Sequence, residues 1–119
     1  MECFSEMSES RISAFESMAV NDPGNVMVWY GLGTEYSKLE RWRDAATAFR
    51  KVLELNADYT SAYQLLGTAL LNLGDSTAAS SAWTDGIATA ERTGAWKARE
   101  HMTRLLSGLE PPQEFCSNG

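Results

Sequence analysis

Histidine is nearly absent from this 119-residue chain: the single one, His101, has no cysteine or aspartate at ligand spacing. Metal binding and histidine-based proton transfer need such neighbours, so His101 reads as a solvent-exposed residue on the polar side of a helix. Cysteine is confined to Cys3 and Cys116, near opposite ends and without metal-ligand spacing. That pattern points to free thiols in a reducing compartment rather than to a disulfide framework. Basic residues are outnumbered, 10 Lys and Arg against 16 Asp and Glu, which leaves a formal charge of −6. A nucleic-acid binder needs cations to neutralise phosphates, so this balance argues against one. Long apolar runs are missing too. The longest uncharged stretch, Tyr59 to Gly74, carries Ser, Gln, Asn and Thr and falls short of the roughly 20 apolar residues that span a bilayer. The acidic start MECFSEMSES lacks the basic opening and apolar core of a signal peptide. A cytoplasmic protein without a membrane segment is expected.

Catalytic patterns are equally scarce. Gly31-Leu32-Gly33 opens a G-x-G-x-x-G phosphate loop, but the third glycine position holds Tyr36 and no strand precedes it. Glu2, Glu6, Glu9 and Glu16 fall along one helix and read as its solvated face rather than as paired acids. Five of the ten basic residues, Lys38, Arg41, Arg43, Arg50 and Lys51, are interleaved with Glu40 and Asp44, the pattern of a solvated surface rather than an anion site. No enzyme activity, cofactor or metal is expected.

What the chain does have is a repeat. With 44% hydrophobic and 22% charged residues it has the composition of one folded globular domain. Its organising stretch is WYGLGTEY: Trp29, Leu32, Gly33 and Tyr36 return thirty-four residues later as Tyr63, Leu66, Gly67 and Leu70. Downstream, Leu39 is echoed by Leu73, Ala45 by Ala79 and Phe49 by Trp83. The match therefore covers a whole period. Gly33 and Gly67 each cost about 1 kcal/mol relative to Ala inside a helix, and close packing against Ala45 and Ala79 of the partner helix is the expected reason.

Apolar spacing of three to five residues predicts six helices. Residues 4–20 carry Phe4, Met7, Ile12, Phe15, Met18 and Ala19 inward and end at Asp22-Pro23-Gly24. Phe15 precedes Phe49 by one period, so this helix reads as the second half of a unit whose first half is missing. Arg11 stands where Ala45 and Ala79 stand in the full units. Two helices fill 26–59 and two more 60–93, with Leu73 inward on the fourth and Gly74-Asp75 turning the second pair. A capping helix within 95–109 puts Ala98, Met102, Leu105 and Leu106 inward and Lys97, Glu100 and Arg104 outward. Trp96, off that apolar stripe, is expected to pack against the end of the fifth helix. Residues 1–110 make one domain, and 111–119, after Pro111-Pro112, read as a disordered tail.

A thirty-four-residue period with W-x2-L-G-x2-Y followed by A-x3-F resembles the tetratricopeptide (TPR) family. Trp29, Leu32, Gly33, Tyr36, Ala45 and Phe49 fill the motif in the first unit; Tyr63, Leu66, Gly67, Leu70, Ala79 and Trp83 fill it in the second. Departures are Glu40, where the family often has a turn Gly, and Ala57 and Glu91, where it often has Pro. The resemblance implies an all-α fold, a right-handed superhelical stack of antiparallel helix pairs. It implies a non-enzymatic protein–protein interaction module that binds a peptide or protein segment along the concave side of the first helices. That side carries Met27, Tyr30, Thr34 and Lys38 from one unit and Ser61, Gln64, Thr68 and Asn72 from the next. Tyr30 is the expected anchor. The family's chaperone-binding mode, which grips C-terminal carboxylates with Lys and Asn, finds Tyr30, Thr34 and Leu65 in the corresponding places and is not supported. The alternative is a structural role, a homo-oligomer without a peptide ligand.

Overall fold

The computed structural model describes the backbone of residues 2–109 and the side chains of residues 9–109. The expected tail at 111–119, the two thiols, and the inward placement of Phe4 and Met7 lie outside those residues. The fold is all-helical, with no strand among the described residues. Helix α1 spans Glu2–Asn21, α2 Val26–Lys38, α3 Trp42–Leu55, α4 Thr60–Asn72, α5 Ser76–Thr93 and α6 Trp96–Leu109. Each helix packs on the next, and α6 also touches α4.

Side-chain oxygens start two of these helices. Asn25 Oδ1 accepts from the Met27 N–H at 3.1 Å, and Asp75 Oδ1 from the Ala78 N–H at 3.0 Å; each satisfies a first-turn donor that the helix itself leaves unpaired. Gly94, at φ 83°, closes α5, and Gly74, at φ 91°, turns the second helix pair. Glu40 occupies the matching turn of the first pair at φ 59°, a left-handed conformation that costs an L-residue about 1–2 kcal/mol.

The repeat glycines are contact points for large side chains. A Cβ on Gly33 would lie 2.6 Å from the Phe49 ring, and one on Gly67 would lie 2.5 Å from Cδ1 of Trp83. The expectation that Ala45 and Ala79 supply the close approach is therefore corrected. Those alanines are fully buried, but in the antiparallel pair Phe49 and Trp83 project into the space that a Cβ would fill. Gly31 does the same for Phe15 of α1, and Gly86 for Met102 of α6. Phe49, Trp83 and Met102, each at most 1% exposed, anchor the core with Leu32 and Val52.

Three inward placements are also corrected. Met18 is 47% exposed, on a side of α1 that no other described helix covers. Leu73 is 40% exposed, being the residue just past the end of α4. Trp96 is 61% exposed: it opens α6 outside the Ala98, Met102 and Leu105 stripe that turns that helix onto the core.

Candidate functional site

Successive side chains on a helix turn by about 100°, so α2 has four distinguishable sides. Gly31 and Glu35 face α1, meeting Phe15 and Arg11. Gly33 faces α3 through Phe49. Met27, Tyr30, Thr34 and Lys38 cluster on a third side, and Trp29, Leu32 and Tyr36 on the fourth, opposite it.

On the Tyr30 side the ring centroids of Tyr30 and Tyr59 lie 5.0 Å apart, and Phe49 meets Tyr30 edge-on at 5.9 Å. The Tyr59 hydroxyl donates to Met27 Sδ at 3.6 Å. Burial raises the Tyr30 phenol pKa, neighbouring Tyr59 raises it further, and a hydrogen bond with Ser61 opposes both. Met27, Tyr30 and Ser61 thus meet around Tyr59, which joins the two units. Tyr30 is half-buried and stacked rather than free-standing.

The remaining polar residues of this side bond back to their own helices. Thr34 Oγ1 donates to the Tyr30 carbonyl at 3.0 Å, Thr68 Oγ1 to the Gln64 carbonyl at 3.1 Å, and Asn72 Nδ2 to the Thr68 carbonyl at 2.8 Å. The Gln64 carbonyl also accepts from Trp83 Nε1 at 3.0 Å, so one groove residue is tied to the core. With their hydrogens committed, the half-buried hydroxyls of Thr34 and Thr68 keep only acceptor capacity, of the kind that takes N–H groups of a ligand backbone. Lys38 Nζ is held 3.3 Å from Glu35 Oε2.

The opposite side of α2 is concave as well. A cavity of about 260 Å³ is lined by Glu16, Ala19 and Val20 of α1 with Trp29, Leu32 and Tyr36. A second, of about 390 Å³, lies beyond Trp29 against Pro23, Thr47, Arg50, Lys51 and Glu54. The Trp29 ring is fixed between them: its Nε1 donates to the Pro23 carbonyl at 2.8 Å and Lys51 Nζ sits 5.9 Å from the ring centre. Tyr36 donates to Glu16 Oε2 at 2.6 Å. Burial, then that carboxylate, pushes the phenol pKa up to about 12, with Arg41 over the ring pulling the other way.

Glu35 is 6% exposed in the α1–α2 interface. Its Oε1 has no hydrogen-bond partner among the described residues, and Arg11 Nη1 stands 3.8 Å away. This pair was legible in the sequence: Arg11 replaces a small residue of the repeat, and Glu35 stands where the second unit has the fully buried Ala69. Two departures of opposite charge in facing positions are a compensating pair. Tyr59, outside the repeat skeleton, had no such signal.

His101 is exposed on α6. Among the described residues no group of three or more His, Cys, Asp or Glu is placed to hold a metal, and no helix is long and apolar enough to cross a membrane.

The tetratricopeptide repeat family model matches residues 26–59. The chain is 31% identical over 99 residues to the TPR repeat-containing protein PA0015 of Pseudomonas aeruginosa, across 83% of this chain and 94% of that protein. It is 32% identical over 97 residues to the Hsp70-Hsp90 organizing protein of Triticum aestivum, over 82% of this chain but 16% of that protein. Among solved structures, protein BPP2914 from Bordetella parapertussis matches with a TM-score of 0.73 at 26% identity, over 82% of this chain and 85% of that one. MamA matches in fold with a TM-score of 0.64 at 20% identity, over 81% of this chain and 63% of that one.

Proposed function

The chain belongs to the tetratricopeptide repeat family of protein–protein interaction modules, and on that premise we propose that it binds a peptide or protein segment along the Tyr30 side of α2 and α4. The observation that carries this reading is the arrangement there: an aromatic cluster of Tyr30 and Tyr59 beside Met27, followed by the half-buried hydroxyls of Thr34 and Thr68, whose hydrogens are committed to their own helices. An apolar anchor followed by hydrogen-bond acceptors suits an extended chain, which offers a side chain and then backbone N–H groups. Met27, Tyr30, Thr34, Lys38, Ser61, Gln64, Thr68 and Asn72 are the residues that contact the partner in this reading. The module works without a cofactor or catalysis, inside the cell.

A chaperone C-terminal carboxylate is not the ligand expected, since Tyr30, Thr34 and Leu65 stand where Lys and Asn would grip it. The test is substitution of Met27 and Thr68 by Ala, both outside the fully buried core. Affinity for a partner captured from the source cell drops about tenfold or more on this reading, while helical content stays unchanged. Unchanged affinity in a folded double variant overturns the groove assignment.

Self-association is the second reading. It is favoured by Met18 and Val20, 47% and 81% exposed on α1. Light scattering decides it: a mass that stays monomeric as concentration rises removes this reading.

A further inference from the structure

The cavities on the Trp29 side belong to none of the contacts just assigned, and their chemistry is uneven in a way the repeat does not require. One end is mainly apolar, built from Ala19, Val20 and Leu32, with the Glu16 carboxylate at its edge bonded to the Tyr36 hydroxyl, and Val20 is 81% exposed at its rim. The other end carries two cations and the carboxylate of Glu54. Arg50 is exposed and, among the described residues, makes no ion pair; Lys51 has Glu54 at 3.6 Å, a pair open to water on both sides. Trp29 forms the shared wall, and its two tethers hold it in place without a ligand.

The second unit is an internal control. One period on from Val20, Thr47, Arg50 and Lys51 stand Glu54, Ser81, Thr84 and Asp85. The matching position on α3 is therefore acidic where α1 has an apolar rim, and α5 has no cation at the positions of Arg50 and Lys51. The fold is the same in both units, so packing does not dictate Val20 and Arg50.

We propose that the Trp29 cleft is a second docking site, opposite the Tyr30 side, for an extended protein segment in which a large apolar side chain is followed by acidic ones. The apolar side chain fills the 260 Å³ cavity between α1 and α2, against Trp29, where burial of apolar surface drives binding. The carboxylates reach Arg50 and Lys51, whose charge they match. The two carboxylates of the cleft are already engaged, Glu16 by the Tyr36 hydroxyl and Glu54 by Lys51 at 3.6 Å, which leaves Arg50 as its cation without a carboxylate among the described residues. A partner with two such segments would grip the solenoid on both sides.

The experiment uses the full ¹⁵N-labelled chain and a blocked decapeptide carrying one Phe followed by two Glu in a Gly and Ser background. Two controls replace the Phe by Ala, or both Glu by Lys. The Trp29 indole N–H signal is identified by its loss in Trp29→Phe. The proposal predicts that the first peptide shifts that signal and the Val20 and Lys51 amides. Both control peptides bind at least tenfold more weakly, and Arg50→Glu with Lys51→Glu, both at the surface, weakens the first peptide equally. Shifts confined to Thr34 and Thr68 amides assign the peptide to the Tyr30 side and overturn this proposal while leaving the first reading standing. Equal binding of the Ala control, or no shift at millimolar peptide, also overturns it.

Discussion

Adding one methyl group at Gly67 tests how the helix pairs are held together. Its Cβ would sit 2.5 Å from Cδ1 of Trp83, about 1 Å inside ordinary contact. Trp83 is 1% exposed and its Nε1 is held by the Gln64 carbonyl at 3.0 Å, so the ring cannot withdraw without losing that bond. Overpacking costs about 1–3 kcal/mol and a weakened hydrogen bond about 0.5–1.5 kcal/mol, against about 1 kcal/mol of improved helix propensity. Gly67→Ala should therefore destabilise by about 1–3 kcal/mol. At Gly108, near the end of α6, an added methyl group would meet nothing within 4 Å, so Gly108→Ala should stabilise by up to about 1 kcal/mol. The assay is urea unfolding, in which a loss of about 2 kcal/mol lowers the midpoint by about 1 M for a domain of this size. A Gly67→Ala midpoint equal to or above that of the parent would refute the ring-on-glycine account.

Three further outcomes follow from named contacts. Glu40→Gly should stabilise by up to about 1 kcal/mol, since it relieves a left-handed φ of 59° at the cost of glycine's greater freedom when unfolded; thermal unfolding checks it. Arg11→Ala should destabilise by about 1 kcal/mol in the parent and by much less when Glu35 is already Ala, because the cation's role is to face that buried carboxylate at 3.8 Å. A double-mutant cycle in urea measures the difference. The Tyr36 phenol, raised from 10.0 to about 12, is favoured neutral in the fold, so its contribution is full below pH 10 and lost as pH rises through 12. Tyr36→Phe should remove that part of the stability loss, read from unfolding midpoints at pH 9 and pH 11.

The repeat was readable because it is written in large side chains at fixed spacing: Trp29, Leu32 and Tyr36 recur, and so does the Gly33 gap that receives Phe49. Which group fills that gap was not readable, since the antiparallel pairing level decides between Ala45 and Phe49 and a four-residue difference leaves no mark in the periodicity. Trp96 misleads because an aromatic residue near a helix start suggests a need for cover, whereas α6 seats itself through Met102. For the candidate site, the family resemblance assigned Met27, Tyr30 and Thr34 to one side of α2, and helical spacing agrees with it. Tyr59 escaped because it is the residue just before α4, outside the large-side-chain skeleton of the repeat, and the cleft at Trp29 escaped because that residue was already accounted for as repeat skeleton. A side chain that serves packing on one edge retains another edge for a partner.

The central claim is that this tetratricopeptide repeat protein meets a partner across the Tyr30 side of α2 and α4. Site-specific photo-crosslinking in the source cell tests it most directly, with the photoreactive residue placed at Met27, 61% exposed on that side, or at Ser81, exposed on α5. The account predicts a discrete crosslinked partner from position 27 and none of that mass from position 81. Capture of the same partner from position 81 alone would contradict it.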